Sequence, residues 1–414
     1  MRKLELVMIP LLAVFFLGLG SVPSQAALFV QCPGDWDGDM VPNEFLPDGV
    51  TPNPDYNPNV VCMHISGGDG YLRMADGTDL YAFGFGEVPP PKQVPLRRVM
   101  NRQSLKARAP APHIELQEGQ ELYLTLTNVG MTMRPDLFDT HSVHWHGYPN
   151  AAPMFDGLPE PSPTPNMGAS FTYYYYAGVP GTYFYHCHVE AAEHMQMGMI
   201  GTLHVHPSQN GTPITYGGKT FTKFAYNDGD GSTGYHKDFH LQITAFDSNF
   251  HIQHEAVQPL PFADMHDNYP MFNGRGYPDT INLSNNKVTP DKKILNKKGF
   301  WAQRANSLVT ATSGQTILLR IGNVSTTHLY TITTTLGVPM KVVGQGAAQR
   351  KSPAGVDVTY EANVLNFGGG QAYDVLIDTT GVPPGTYFIY ASDLTNLSNG
   401  DEERGGLMTE VVIN

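Results

Sequence analysis

A run of alternating apolar residues occurs twice, in the same order and with the same punctuation. Gly119-Gln120 leads through Leu122, Leu124 and Leu126 to Asn128-Val129, and Gly314-Gln315 leads through Ile317, Leu319 and Ile321 to Asn323-Val324. Further on, Pro180-Gly181-Thr182-Tyr183-Phe184 returns as Pro384-Gly385-Thr386-Tyr387-Phe388. Successive side chains of a strand point to opposite faces, so period-2 apolar spacing marks a strand with one buried face. Strands repeated in one order mean two copies of one β unit. Composition agrees: 33 Pro and 43 Gly, with 15 % charged residues, suit short strands joined by turns. The expected fold class is all-β, two tandem Greek-key β-sandwiches preceded by a leader and a turn-rich segment. The divisions expected are 1–26 (leader), 27–95 (turn-rich segment and first strands), 96–208 (first sandwich) and 209–414 (second sandwich). Lys237–Phe246, with Phe239, Leu241 and Ile243 on one face, is an early strand of the second copy.

The leader reads as an export signal. Arg2 and Lys3 precede an apolar run from Leu6 to Leu19, and Ser24-Gln25-Ala26 offers the small residues a signal peptidase reads. Cleavage is expected after Ala26, with release to the periplasm or the extracellular space. The run is shorter than the ~20 residues that span a bilayer, and no later stretch is longer, so no membrane span is expected in the mature chain. A formal net charge of −13, with basic residues only in pairs such as Arg97-Arg98 and Lys292-Lys293, gives no concentrated basic face. Nucleic-acid and anionic-membrane partners are disfavoured accordingly.

Three cysteines remain to be placed. In an exported protein Cys32 and Cys62, both in the turn-rich segment, are expected to pair. Cys187 is then alone, inside Tyr185-His186-Cys187-His188, with His194 and Met199 following and His141-Ser142-Val143-His144-Trp145-His146-Gly147 upstream. Strand alternation sends His144 and His146 one way, and sends His186 and His188 together, opposite to Cys187. Two such strands side by side put four imidazoles on one face and a thiolate on the other. A Cys with two His and a more distant Met is the ligand set of a type 1 (blue) copper site. The assignment is His141, Cys187, His194 and Met199.

His-x-x-His-x-His-Gly followed by His-Cys-His and then His-x4-Met resembles the copper signature of the multicopper oxidase family, built of linked cupredoxin β-sandwiches. The resemblance implies that 96–208 is a copper-binding cupredoxin domain. It also implies that His144, His146, His186 and His188 hold part of a type 2/type 3 copper cluster that reduces dioxygen, with the Cys187-His peptides carrying electrons to it. Cys187, His186 and His188 are on that account the candidate catalytic residues. Five residues, Val189 to Glu193, separate His188 from His194. That is more than in many laccase-like members and is similar to two-domain oxidases, bacterial metal-oxidising members and copper nitrite reductases.

The second copy lacks this equipment. Its Tyr390-Ala391-Ser392 stands where the first has His186-Cys187-His188, and its counterpart of the His-rich strand runs His328-Leu329-Tyr330-Thr331-Ile332-Thr333. The 209–414 unit is therefore expected to be a cupredoxin-like domain without copper ligands, and the cluster is expected to be completed by a second copy or another cupredoxin chain. The functional expectation is a copper-dependent oxidoreductase passing electrons from a reducing substrate to dioxygen. The alternative is a non-enzymatic copper protein, an electron carrier or copper binder. The substrate, whether Cu(I), Mn(II), Fe(II) or a phenol, is not legible. Among weaker features, Asp35-Trp36-Asp37-Gly38-Asp39 is similar to Asp-rich calcium turns but fails the EF-hand spacing. His204 and His206 read as strand residues, and His251 and His254 as incidental.

Overall fold

The computed structural model describes residues 30–149, 151–281 and 306–414. The expected leader and its cleavage point lie outside the described residues.

Eight strands build the first sandwich: β1 (Val60–Arg73), β2 (Asp79–Glu87), β3 (Ile114–Gln117), β4 (Glu121–Gly130), β5 (His144–His146), β6 (Ser170–Tyr176), β7 (Gly181–His186) and β8 (Ile200–His206). One sheet has the order β2-β1-β4-β6, the other β3-β8-β7-β5. The segment before residue 96 thus contributes β1 and β2 to the same sandwich as the strands after it. Leu122, Leu124 and Leu126, the alternating residues of β4, are fully buried in one core with Trp145, Tyr173, Tyr185 and Leu203. Among the described residues there are three short α-helices: α1 (Val99–Gln103), α2 (Ala191–Met197) and α3 (Ser248–Glu255).

Two small hairpins follow, β9 (Ile214–Tyr216) with β10 (Lys219–Phe221), and β11 (Lys223–Phe224) with β12 (Gly234–Tyr235). The second sandwich then uses β13 (Lys237–Phe246), β14 (Tyr269–Phe272), β15 (Val309–Ala311), β16 (Thr316–Asn323), β17 (Tyr330–Thr334), β18 (Met340–Gln345), β19 (Ala348–Gln349), β20 (Tyr360–Ala362), β21 (Val364–Phe367), β22 (Ala372–Asp378) and β23 (Gly385–Ala391). A minor hairpin, β24 (Ser398–Asn399) with β25 (Glu402–Glu403), precedes the last strand, β26 (Met408–Ile413). The sheets run β14-β13-β16-β22-β18-β19, with β20 on β18, and β15-β26-β23-β17-β21. Pairing repeats strand for strand. β1 is parallel to β4 as β13 is to β16, β3 is parallel to β8 as β15 is to β26, and β5 meets β7 as β17 meets β23.

The two sandwiches stack through sheets. The outer face of β8-β7 meets β13-β16-β22: Thr202 Oγ1 donates to Gln242 Oε1 (2.6 Å) and Thr182 Oγ1 to Asp374 Oδ1 (2.5 Å). A Cβ on Gly322 would fall 2.1 Å from the Phe184 ring, so only glycine lets β16 approach β7 this closely. At the start of the described chain, the Cys32–Cys62 disulfide ties the turn-rich segment to β1. In the acidic turn, the Asp35 carboxylate accepts from the Asp37, Gly38 and Met40 N–H groups, and Lys92 Nζ lies 2.6 Å from Asp37 Oδ2. Backbone donors and a lysine thus already occupy oxygens that a calcium ion would need, and calcium binding has no support here.

Candidate metal centre

The register of β5 on β7 pairs His144 with His186, Trp145 with Tyr185 and His146 with Phe184. Alternation sends Trp145, Tyr185 and Cys187 into the first core and turns the histidines outward. Four imidazoles gather there. Ring centroids are 5.1 Å apart for His144–His186, 5.6 Å for His146–His186, 5.0 Å for His144–His188 and 5.7 Å for His186–His188. Ligand atoms of His144, His146 and His186 all lie within 4.8 Å of one another.

Hydrogen bonds fix the ring orientations. His144 Nδ1 is 2.7 Å from the Asp156 carbonyl oxygen, and His186 Nδ1 is 2.9 Å from that of Cys187. A carbonyl only accepts, so each Nδ1 carries the proton and each Nε2 presents its lone pair. Burial lowers the His186 pKa to about 3 and lowers that of His146. Both rings are neutral at physiological pH, the form that binds metals.

On the other face, His141, Cys187 and His194 bring one ligand atom each within 4.8 Å, and all three are fully buried. His194 comes from α2, which fills the interval after His188. The helix is entered through Glu190 at φ +45 and closed by Gly198 at φ +117. His194 Nδ1 lies 3.2 Å from Cys187 Sγ, and its Nε2 is 3.7 Å from Asp139 Oδ2. Ser142 ties the two strands: its N–H donates to Cys187 Sγ (3.4 Å) and its Oγ accepts from His188 N–H (3.1 Å). Met199 is fully buried in the same cluster as Cys187, and its carbonyl accepts from Cys187 N–H (3.1 Å).

This donor set fits a copper ion. Both ring nitrogens of His141 are buried with no hydrogen-bond partner among the described residues. Leaving them so is costly unless a metal takes one of them. Burial alone pushes the Cys187 thiol up, but the His194 and His141 imidazoles beside it bring it well below its ordinary value. The thiolate, the form that ligates metals, is therefore favoured.

Several contributors escaped the sequence reading. Gly67 of β1 makes room for His141, since a Cβ there would lie 2.8 Å from His141 Cδ2. Asp139 and Asp156 orient His194 and His144. Asp139 stands two residues before His141, which is the only local hint it gives. Gly370 of the second sandwich, at φ +79, packs on His146, where a Cβ would fall 2.8 Å from Nε2. The four-imidazole face is thus partly covered by the chain's own second sandwich. His251 and His254 bolt α3 to the copper loop: His251 Nε2 is 3.0 Å from the Gln196 carbonyl and His254 Nε2 is 2.8 Å from Glu193 Oε1.

Register also refines the comparison of the two copies. Thr333 pairs with Tyr390 as His144 pairs with His186, and Ile332 pairs with Ala391. The matches of His141, His144 and His146 are therefore Tyr330, Thr333 and Thr335. His328 precedes β17 and matches Asp139, so it does not replace any of the three, although the segment aligned with the His-rich strand begins with it.

Comparisons with known proteins agree with this architecture. Models of the multicopper oxidase family match residues 96–210 and 260–412, together more than half of the chain. The chain belongs to the multicopper oxidase family. It is 32 % identical over 107 residues to Laccase 1 of Metarhizium acridum and 31 % identical over 108 residues to a multicopper oxidase of Talaromyces pinophilus. These stretches are 25 % and 26 % of this chain, and it spans only 16 % of the length of either relative. Among solved structures, the blue copper oxidase of Nitrosomonas europaea is similar, with a TM-score of 0.59, 21 % identity and 85 % of each chain covered. The copper nitrite reductase of the same organism aligns with a TM-score of 0.51 and 15 % identity, covering 86 % of this chain and 94 % of its own. Both likenesses concern the fold. No helix among the described residues is long and apolar enough to cross a membrane.

Proposed function

We propose that this chain is a copper-dependent oxidoreductase that takes electrons from a reducing substrate and delivers them to dioxygen. His141, Cys187, His194 and Met199 would hold a type 1 copper. His144, His146, His186 and His188 would hold part of a type 2/type 3 cluster. Copper supplies the one-electron chemistry at the first set and oxygen reduction at the second.

The observation that carries this reading is the placement of the two sets on opposite faces of one strand pair, joined by single peptide bonds. Cys187 faces the core while His186 and His188 flank it on the other side, and the His186 ring bonds to the Cys187 carbonyl. An electron carrier needs only the first set. The second is built as well, with ring orientations fixed by carbonyls and pKa values that keep two of its rings neutral.

Because Tyr330, Thr333, Thr335, Tyr390 and Ser392 occupy the matching positions of the second copy, the remaining cluster ligands come from a partner, either a second copy or another cupredoxin chain. The Cys32–Cys62 bridge favours an exported protein, since such bonds persist in oxidising compartments. Copper-loaded protein should be intensely blue, bind more than one copper per chain and consume dioxygen with a reducing substrate. Cys187→Ser should abolish the colour and leave the fold intact. A blue protein holding one copper and reducing no dioxygen with any cupredoxin partner would be an electron carrier instead.

A further inference from the structure

The outer face of the β3-β8-β7-β5 sheet carries a second cluster of imidazoles, at the edge away from β5. Glu115 of β3 pairs with His204 of β8, and His113 lies just before β3. Ligand atoms of His113, Glu115 and His204 all fall within 4.8 Å of one another. His240 of β13, in the second sandwich, stacks on His113 with centroids 4.2 Å apart and planes 7° from parallel. The His204 ring stands edge-on to His113 at 4.4 Å. We infer that His113, Glu115 and His204 form a binding site for a divalent transition-metal ion such as Zn(II) or Cu(II), distinct from the copper ligands and placed where the two sandwiches meet.

Unsatisfied nitrogens point to the ion. His204 is 2 % exposed, and its Nε2 has no hydrogen-bond partner among the described residues. Both nitrogens of His113 are buried and likewise unpartnered, although Nε2 sits 3.3 Å from Glu115 Oε1 at ion-pair distance. Orphaned buried polar atoms are rare, and here His204 Nε2 and His113 Nδ1 stand near one carboxylate. A cavity of about 240 Å³ opens against His204, lined also by Glu115, Asp238 and His240.

Two imidazoles with one carboxylate suit borderline first-row ions, and three protein ligands leave a coordination position for water or a further ligand. Arg320, a buried cation at the same boundary, lies 3.5 Å from Asp374 and 3.9 Å from Asp238 rather than against Glu115 as an ion pair. The site is separate from the four-imidazole face. His204 pairs with Thr182, four residues along β7 from His186, which is roughly 13 Å at ~3.3 Å per residue. Because His240 stacks on a ligand from across the domain boundary, the bound ion would also clamp the two sandwiches together.

The test uses the full chain, first saturated with copper, then stripped of exchangeable Cu(II) with a chelator that leaves the blue colour intact and equilibrated with Zn(II), the bound metals being counted by elemental analysis. The inference does not rest on the oxidase reading, because its readout is zinc and the blue colour is followed separately. Wild type should take up one Zn(II) per chain. Glu115→Gln, a change at a largely exposed side chain, and His113→Gln should each weaken zinc binding at least tenfold, with colour and thermal midpoint of the metal-free chain unchanged. Excess Ca(II) should not compete. Uptake of no zinc, equal uptake by both variants, or displacement by Ca(II) would each overturn the assignment.

Discussion

Cys187 owes its character to three neighbours that pull against its burial. A buried thiol is ordinarily protonated, yet the His194 and His141 rings reverse that preference, and Ser142 adds a backbone donor. Room for His141 is made by Gly67, so Gly67→Ala should drive a methyl group into its ring. The expected result is copper affinity at least tenfold lower and an altered blue absorption. The metal-free chain should lose only about 1–3 kcal/mol, as overpacked cores do. Unchanged colour and affinity would show that His141 has slack that these contacts deny. Histidines away from the metal sets make a second prediction. Burial lowers His64 and His251 to about 4 from an ordinary 6.5. Between those values the unfolded chain binds protons that the folded chain does not, so stability falls as pH falls from about 6.5 to 4. The urea midpoint of metal-free protein should drop across this window, and His64→Gln should flatten part of the slope. A midpoint that rises on acidification through this window would refute the assignment.

Strands were the most legible elements, and loops the least. The repeated Gly-to-Asn runs became β4 and β16, and Lys237–Phe246 became β13, because period-2 burial is written directly into apolar spacing. The His-x-His and His-Cys-His segments likewise paired with their rings on one face. What the chain hid was the interval between His188 and His194, legible only as a longer loop. Seven residues, Ala191–Met197, form α2 there, and its conformation depends on α3, which lies more than fifty positions away. His113, His204 and His240 were hidden for the same reason, since three separate strands or strand ends bring them together. Local spacing could not distinguish His204 from an ordinary strand residue. The contact between α3 and the copper loop can be tested alone. Glu193 Oε1 and His254 Nε2 form a buried 2.8 Å pair, with side chains 13 % and 2 % exposed. His254→Ala should cost about 1–3 kcal/mol, the range for hydrogen bonds to charged groups, and should speed copper loss to a chelator. Copper retention equal to wild type would show that α2 holds its place unaided.

The whole molecule is two copies of one sandwich that have diverged at a shared boundary. The outer face of the β3-β8-β7-β5 sheet looks onto the second copy along its length. Phe184 against Gly322 and Thr182 with Asp374 occupy the middle, His204 with His240 one side and the four imidazoles the other. The Asp374 carboxylate also accepts from Tyr226 and lies 3.5 Å from the buried Arg320. Such an interface is polar and leaves Arg320 Nε and Nη2 and His204 Nε2 without hydrogen-bond partners among the described residues, and it fixes how the copies stack. It also constrains how a cluster can be completed. His186 is already 4 % exposed within one chain, while His144, His188 and His146, on which Gly370 packs, stay half-buried. On the proposed reading, further ligands would arrive beside His144, His146 and His188, from a chain that presents its own imidazoles at that rim. A closed assembly of identical chains can do this only if each copy lends a histidine-bearing surface to its neighbour. Absolute mass in solution, measured together with copper per chain, decides the matter. The fully loaded form should be larger than one chain and hold more than one copper per chain. His186→Ala should then abolish dioxygen consumption while leaving most of the blue colour, because that ring lies across the strand from Cys187 Sγ. If the variant instead loses its colour and keeps its oxygen chemistry, the two faces of the strand pair have been given the wrong roles.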